Sequence, residues 1–231
     1  MITALGGRII MGTTMTRDFL QLVAETFVAI VTPPIRVRDT IRQFYFVANQ
    51  SVIIVCFSVA FAAAVTIIES SFHMKMVIQN DSMVPGFAAM LILRELGSVV
   101  MALLITSRVG AGLAAEVGSM QVTEQVDALR MLGINPVRFI VVPRFIACLV
   151  AGFLLAIVAN LVCLYVAMLV STWKLGYTAG GFITAMRTFV HFRDLVFASI
   201  KGACFGAVIP LFSCFYGFRC KAGAEGVGLA T

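Results

Sequence analysis

The chain alternates long apolar runs with short polar ones, and the run lengths set the first expectation. Four runs are long enough to cross a bilayer, which takes ~20 residues of helix. They cover residues 46–68, 86–106, 139–170 and 195–218. The third is interrupted early by Pro143-Arg144. Even its part from Phe145 onward measures ~39 Å at about 1.5 Å per residue, against a core of ~30 Å, so it must tilt or protrude. A further apolar run, 19–31, is too short to span, is broken by Gln21 and Glu25, and is stopped by Pro33-Pro34. It predicts a helix in the membrane interface, or one packed against the bundle. The predicted fold is an all-α integral membrane protein with an interfacial N-terminal helix and at least four transmembrane helices. Residues 1–231 read as a single membrane domain, with an N-terminal segment 1–45, a bundle 46–218 and a tail 219–231.

Between the second and third spans the pattern changes character. The apolar zone ends at Arg108 and passes into the small-residue segment Gly110-Ala111-Gly112. A polar, amphipathic helix is predicted next, from about 123 to 132 within the polar segment 116–133. Val122, Val126, Leu129 and Leu132 recur at three- to four-residue spacing and share a face. Thr123 is placed to cap it, and Glu124 and Asp127 in the first turn suit the helix dipole. Gly133 and Pro136 end it. Its apolar face could rest on the membrane, or Glu116, Glu124, Gln125 and Asp127 could meet a soluble partner. Spacing leaves both open. After the third span, Trp173 and Tyr177 fall where interface aromatics are expected, and 174–194 reads as a loop.

Composition agrees. Of 231 residues, 61% are hydrophobic and 12% charged, where a soluble domain carries about 25% charged. The excess of 17 Lys+Arg over 11 Asp+Glu reflects positive loops on one side of the membrane rather than a nucleic-acid surface. With the N-terminus in the cytoplasm, the inner segments hold 11 basic residues and the outer loops 4, namely Lys75, Lys174, Arg187 and Arg193. That asymmetry predicts a cytoplasmic N-terminus and places the polar helix in the cytoplasm. Residues 1–18 lack the short apolar core and small-residue cleavage site of a secretory signal.

Three charges fall inside spans. Arg94 and Glu95 lie in the second, Lys201 in the fourth, all ~10 Å below the outer surface at about 1.5 Å per residue. A charge near the bilayer centre costs at least about 2.5–3.5 kcal/mol. Glu95 and Lys201, at matching depth, can compensate each other. Arg94 needs another carboxylate, a lipid headgroup or water, and Glu69 at the outer end of the first span is a candidate. These residues either form a static ion network or line an outward-open polar cavity with apolar walls, suited to an amphipathic substrate such as a lipid. Gly202 and Gly206 make a GxxxG, and Gly110 with Ala114 a looser small-residue pair; both predict close helix contacts.

The remaining chemistry is sparse. Six cysteines form no C-x-x-C, and His73 and His191 lie far apart, so no metal site and no disulfide framework is predicted. No nucleophile–base constellation supports a lipid-modifying enzyme. An ion-coupled secondary transporter using Glu95 as its proton site is the alternative to a permease without chemistry of its own.

The stretches LRELG, SRVGAGLAAEVGSM, VTEQVDALRMLGINP and VPRF resemble the MlaE (YrbE) permease family from about Arg36 onward. The resemblance implies a homodimeric permease within an ABC transporter that moves phospholipid between inner and outer membranes and maintains outer-membrane lipid asymmetry. Its implied setting is the bacterial inner membrane, and it implies no catalysis by the permease. The implied partners are a separate ATPase, a periplasmic MCE-domain subunit and often a STAS-domain subunit. Arg94, Glu95 and Lys201 match charged positions near the family's lipid cavity. Residues 116–129 match the coupling helix that seats in the ATPase, which assigns coupling to Glu116, Thr123, Glu124, Gln125 and Asp127. The chain contains no G-x-x-x-x-G-K-[ST], so no cofactor is expected in it, and ATP would be bound by the partner ATPase. Two departures stand out. His191-Phe192-Arg193 lacks the acidic residue the family places before its aromatic–Arg pair. Family members also continue into a fifth span, so truncation at Thr231 is expected.

Overall fold

The structure, a computed structural model, describes residues 2–32, 36–77 and 84–220. Among these there are seven helices and no strand. They are α1 (Ile2–Val31), α2 (Val37–Val77), α3 (Val84–Val122), α4 (Gln125–Met131), α5 (Val137–Lys174), α6 (Ala179–Phe189) and α7 (Phe192–Phe218). Four of these, α2, α3, α5 and α7, are long and apolar enough to cross a membrane, as the run lengths predict. Most of the C-terminal tail lies outside the described residues.

Several helices outrun the apolar segments that mark them. α1 covers 30 residues, not only the apolar run 19–31. α2 covers 41, about 60 Å of helix against a core of ~30 Å. Hydropathy reports where lipid would lie, whereas backbone hydrogen bonding continues wherever no proline or turn interrupts it.

α3 runs on through Gly110-Ala111-Gly112, past the end of the second apolar run at 106. A widened, π-type turn lies at Thr106–Gly110, and a second occurs at Ile92–Leu96. A third, Val137–Val141, precedes Pro143. Proline lacks an N–H and its ring collides with the carbonyl four residues back, here Phe139. A wide turn at that carbonyl lets α5 continue through Pro143.

The segment read as a loop at 174–194 holds α6. Thr178 caps it, its Oγ1 accepting from the Gly181 amide. Phe182 is buried, and Phe189 and Ala185 lie against Gly86 at the start of α3. The helix period was present in Phe182, Met186 and Phe189, but Gly180-Gly181 masked it, since glycine disfavours helix by about 1 kcal/mol.

Two compact units are formed, one from residues 1–43, 110–147 and 208–231, the other from 44–109 and 148–207. In the first, Leu22, Thr26 and Ala29 bury one face of α1. Phe19 stacks on Phe212, and Phe27 meets Phe145 edge-on. In the second, Val55, Val59, Ala63 and Ile67 bury a four-residue stripe of α2, while Ile53, Phe57 and Phe61 stay exposed on another face. The GxxxG prediction holds within this unit. Gly202 and Gly206 lie against Gly152, Ala156 and the Cys148 carbonyl of α5, too close for any Cβ.

Candidate functional site

The second unit brings Arg94, Glu95 and Lys201 together, as their positions in the spans predict. Arg94 and Glu95 sit in the wide turn of α3, and Lys201 on α7. Lys201 Nζ donates to Glu95 Oε1 at 3.0 Å and to the Arg94 carbonyl at 2.7 Å. Each π-type turn leaves a carbonyl displaced from the regular ladder, and here an ammonium takes one up.

Arg94 is not partnered by Glu69. Its Nε donates to Asp194 Oδ1 at 2.9 Å. Glu69 instead faces His73 four residues on, Nδ1 to Oε1 3.5 Å, and is exposed. The reason is local: a carboxylate on an exposed helical face meets its i+4 neighbour at little entropic cost. Asp194 is nearly buried, and its second oxygen accepts from the His191 amide at 2.9 Å. It therefore pins the 191–194 turn and the Arg94 guanidinium at once. The sequence held one clue to this partner: Asp194 directly precedes the fourth apolar run.

These two ion pairs line a cavity of about 900 Å³ whose remaining walls include His191, Arg193 and the aromatic rings of Phe192 and Phe197. Both rings are largely exposed. The cavity thus combines neutralised charge with apolar surface, which suits an amphiphile. Among the described residues no cluster of His, Cys, Asp and Glu could hold a metal ion.

The polar segment 116–133 is two elements rather than one helix. α3 ends at Val122, and α4 starts at Gln125. Between them Glu124 adopts φ 58°, the left-handed region that breaks a helix. Thr123 closes α3 instead of capping α4. Its Oγ1 donates to the Ser119 carbonyl at 2.8 Å and accepts from Gln125 Nε2 at 3.0 Å. Asp127 pairs with Arg130 at 3.0 Å. Val126 is fully buried, but Leu132, past the helix end, is exposed with Met131. Glu116 lies on α3, where its Oε1 sits 2.8 Å from Nη2 of Arg144 on α5. Arg144 is buried, and among the described residues its Nη1 has no hydrogen-bond acceptor. Sequence reasoning counted Arg144 only as a loop charge. Glu124, Gln125, Asp127, Met131 and Leu132 leave an exposed polar-and-apolar surface at this turn.

A multi-pass helical membrane protein with a charged, aromatic-walled cavity and a short, largely exposed polar helix is the class that this fold and site define. Comparison with known proteins narrows it. The profile of the Permease MlaE family matches residues 40–231. A probable ABC transporter permease protein of Rickettsia felis is 32% identical over 203 residues, covering 88% of this chain and 78% of its own length. The intermembrane phospholipid transport system permease protein MlaE of Haemophilus influenzae is 30% identical over 193 residues, covering 83% of this chain and 73% of its own. The chloroplastic protein trigalactosyldiacylglycerol 1 of Arabidopsis thaliana is 38% identical over 151 residues, 63% of this chain and 42% of its own. This chain belongs to the MlaE permease family. It is a permease subunit of the ABC-transporter type, a type that works with an ATPase partner.

Proposed function

We propose that this permease passes phospholipid through the Arg94–Glu95–Lys201 cavity, between the inner and outer membranes of a bacterium, driven by ATP hydrolysis in a separate subunit. The observation that carries the reading is the cavity itself: two ion pairs, each internally neutralised, beside exposed phenylalanines. Such walls accept a polar headgroup and an acyl chain together. The phospholipid transport named for the Haemophilus influenzae relative supports the substrate. In this reading the N-terminus and α4 face the cytoplasm, following the positive-inside asymmetry. The permease is a homodimer that also meets an MCE-domain subunit on the periplasmic side and, in some systems, a STAS-domain subunit. It carries no cofactor and performs no catalysis. An ion-coupled mechanism through Glu95 loses its basis once the chain is an ABC permease.

The test is transfer of fluorescent phospholipid by the assembled transporter in proteoliposomes. Glu95→Gln and Lys201→Met are each expected to slow transfer tenfold or more, equivalent to about 1.4 kcal/mol. If the pair contacts headgroups, the double variant stays slow although it inserts and binds its ATPase. If the pair is a static brace, removing both charges also removes both desolvation costs, and transfer recovers. Recovery to near the wild-type rate would remove the cavity from the transport path.

ATPase coupling belongs to the α4 turn in the same reading. Asp127→Lys is expected to weaken co-purification of the ATPase and its stimulation at least threefold, because reversal of a charge at a docked surface meets misfit. On a helix resting against anionic lipid the same change would be tolerated or favoured, so undiminished ATPase binding would count against coupling.

A further inference from the structure

The charges around the cavity do not balance. Arg94 is held by Asp194, and Lys201 by Glu95. Arg193 lines the same cavity, is exposed, and has no carboxylate within ion-pair distance among the described residues. Setting His191 aside, three cations therefore face two carboxylates and leave one positive charge. The position of that charge is defined. The His191 amide donates to Asp194, and the Asp194 amide donates back to the His191 carbonyl at 2.9 Å. This closed turn holds the Arg193 backbone while the guanidinium stays free. Arg193 also stands in the first turn of α7, where a cation is opposed by the helix dipole and an anion is welcome.

We propose that Arg193 binds the phosphate of the transported lipid and makes the cavity prefer headgroups of net negative charge over zwitterionic ones. The inference rests on the phospholipid reading above and refines it. A guanidinium suits this task because its planar fork can meet two phosphate oxygens at once. Phe197, on the same helix four residues further on, offers apolar surface beside it, so phosphate and glycerol–acyl region would be received together. A phosphodiester with no compensating amine neutralises the surplus charge. A zwitterionic headgroup brings its own cation into a site that already has one too many.

The assembled transporter is reconstituted in proteoliposomes holding equal amounts of labelled phosphatidylglycerol and phosphatidylethanolamine, and transfer of each is followed. The wild type should favour the anionic lipid about three- to fivefold, the scale of one exposed ion pair, and less at high salt. Arg193→Gln should bring the ratio towards one, and Arg193→Lys should retain part of the preference. Arg187→Gln removes the same charge from the exposed face of α6, outside the cavity lining, and should leave the ratio as in the wild type. An unchanged ratio in Arg193→Gln, or an equal fall in Arg187→Gln, overturns the assignment while leaving lipid transport standing. Transfer of neither lipid by a wild-type complex with active ATPase overturns the transport reading and this inference with it. Loss of the preference on adding millimolar inorganic phosphate would identify the ligand as the free anion and overturn the lipid assignment.

Discussion

Glu116→Ala is expected to lower the stability of the purified protein by about 3–5 kcal/mol, the range seen when a buried ion pair loses one member. The Arg144 side chain is 5% exposed and depends on Glu116 Oε1 at 2.8 Å. Its Nη1 already has no acceptor among the described residues. Without the carboxylate, a guanidinium that cannot deprotonate is left buried and uncompensated. The reverse change is milder. Glu116 is 42% exposed on its side chain, so in Arg144→Met it can turn to water while the methionine fills the space. That variant should lose about 1 kcal/mol or less, as for a half-exposed pair. Combining the two should recover most of what Glu116→Ala lost, since the stranded charge is gone. Thermal unfolding in one detergent, followed by circular dichroism, reads all three. Equal losses from the single changes, adding up in the double, would show that Arg144 does not depend on Glu116.

Gly206→Val should be comparably damaging for a different reason. A Cβ at Gly206 would stand 2.3 Å from the Cys148 carbonyl oxygen, and one at Gly202 would stand 2.4 Å from Ala156 Cβ. The contact is mutual, because a Cβ at Gly152 would meet the Gly202 carbonyl at 2.5 Å. Most of these obstacles are backbone, which cannot swing aside as a side chain can. Overpacking of this kind costs about 1–3 kcal/mol in soluble cores. In lipid no hydrophobic force presses the helices together, so their association relies on the close fit that valine removes. Gly112 and Gly180 have nothing within 4 Å of a built Cβ, and alanine there should leave the melting temperature unchanged or slightly raised. A Gly206→Val protein that melts with the wild type would mean that α5 and α7 are not in this contact.

Much of the function-bearing architecture was legible along the chain. Four spans followed from the lengths of apolar runs, because backbone in lipid must satisfy its own hydrogen bonds and a continuous run of ~20 apolar residues does so as a helix. The Glu95–Lys201 pair followed from the high cost of charge in hydrocarbon combined with a constant rise per residue, which makes equal depth a strong restraint. The glycine contact followed from spacing alone, since four residues return to the same helix face. Besides the helix hidden in 174–194, what failed was the choice of ion-pair partner. Glu69, at the outer end of the first span, was the acidic candidate for Arg94, but the partner is Asp194 at the start of α7, while Glu69 faces His73.

The chain by itself determined which of its segments are long and apolar enough to cross a membrane and which charges must be compensated there, because those are properties of single segments against a fixed solvent. Only the tertiary structure decided that Asp194 closes on Arg94, that Arg144 buries itself on Glu116, and that Glu124 breaks the polar helix in two. The two ion pairs are settled by which helix faces come within about 3 Å of one another, the distance a hydrogen bond requires, and the break by the left-handed backbone at Glu124.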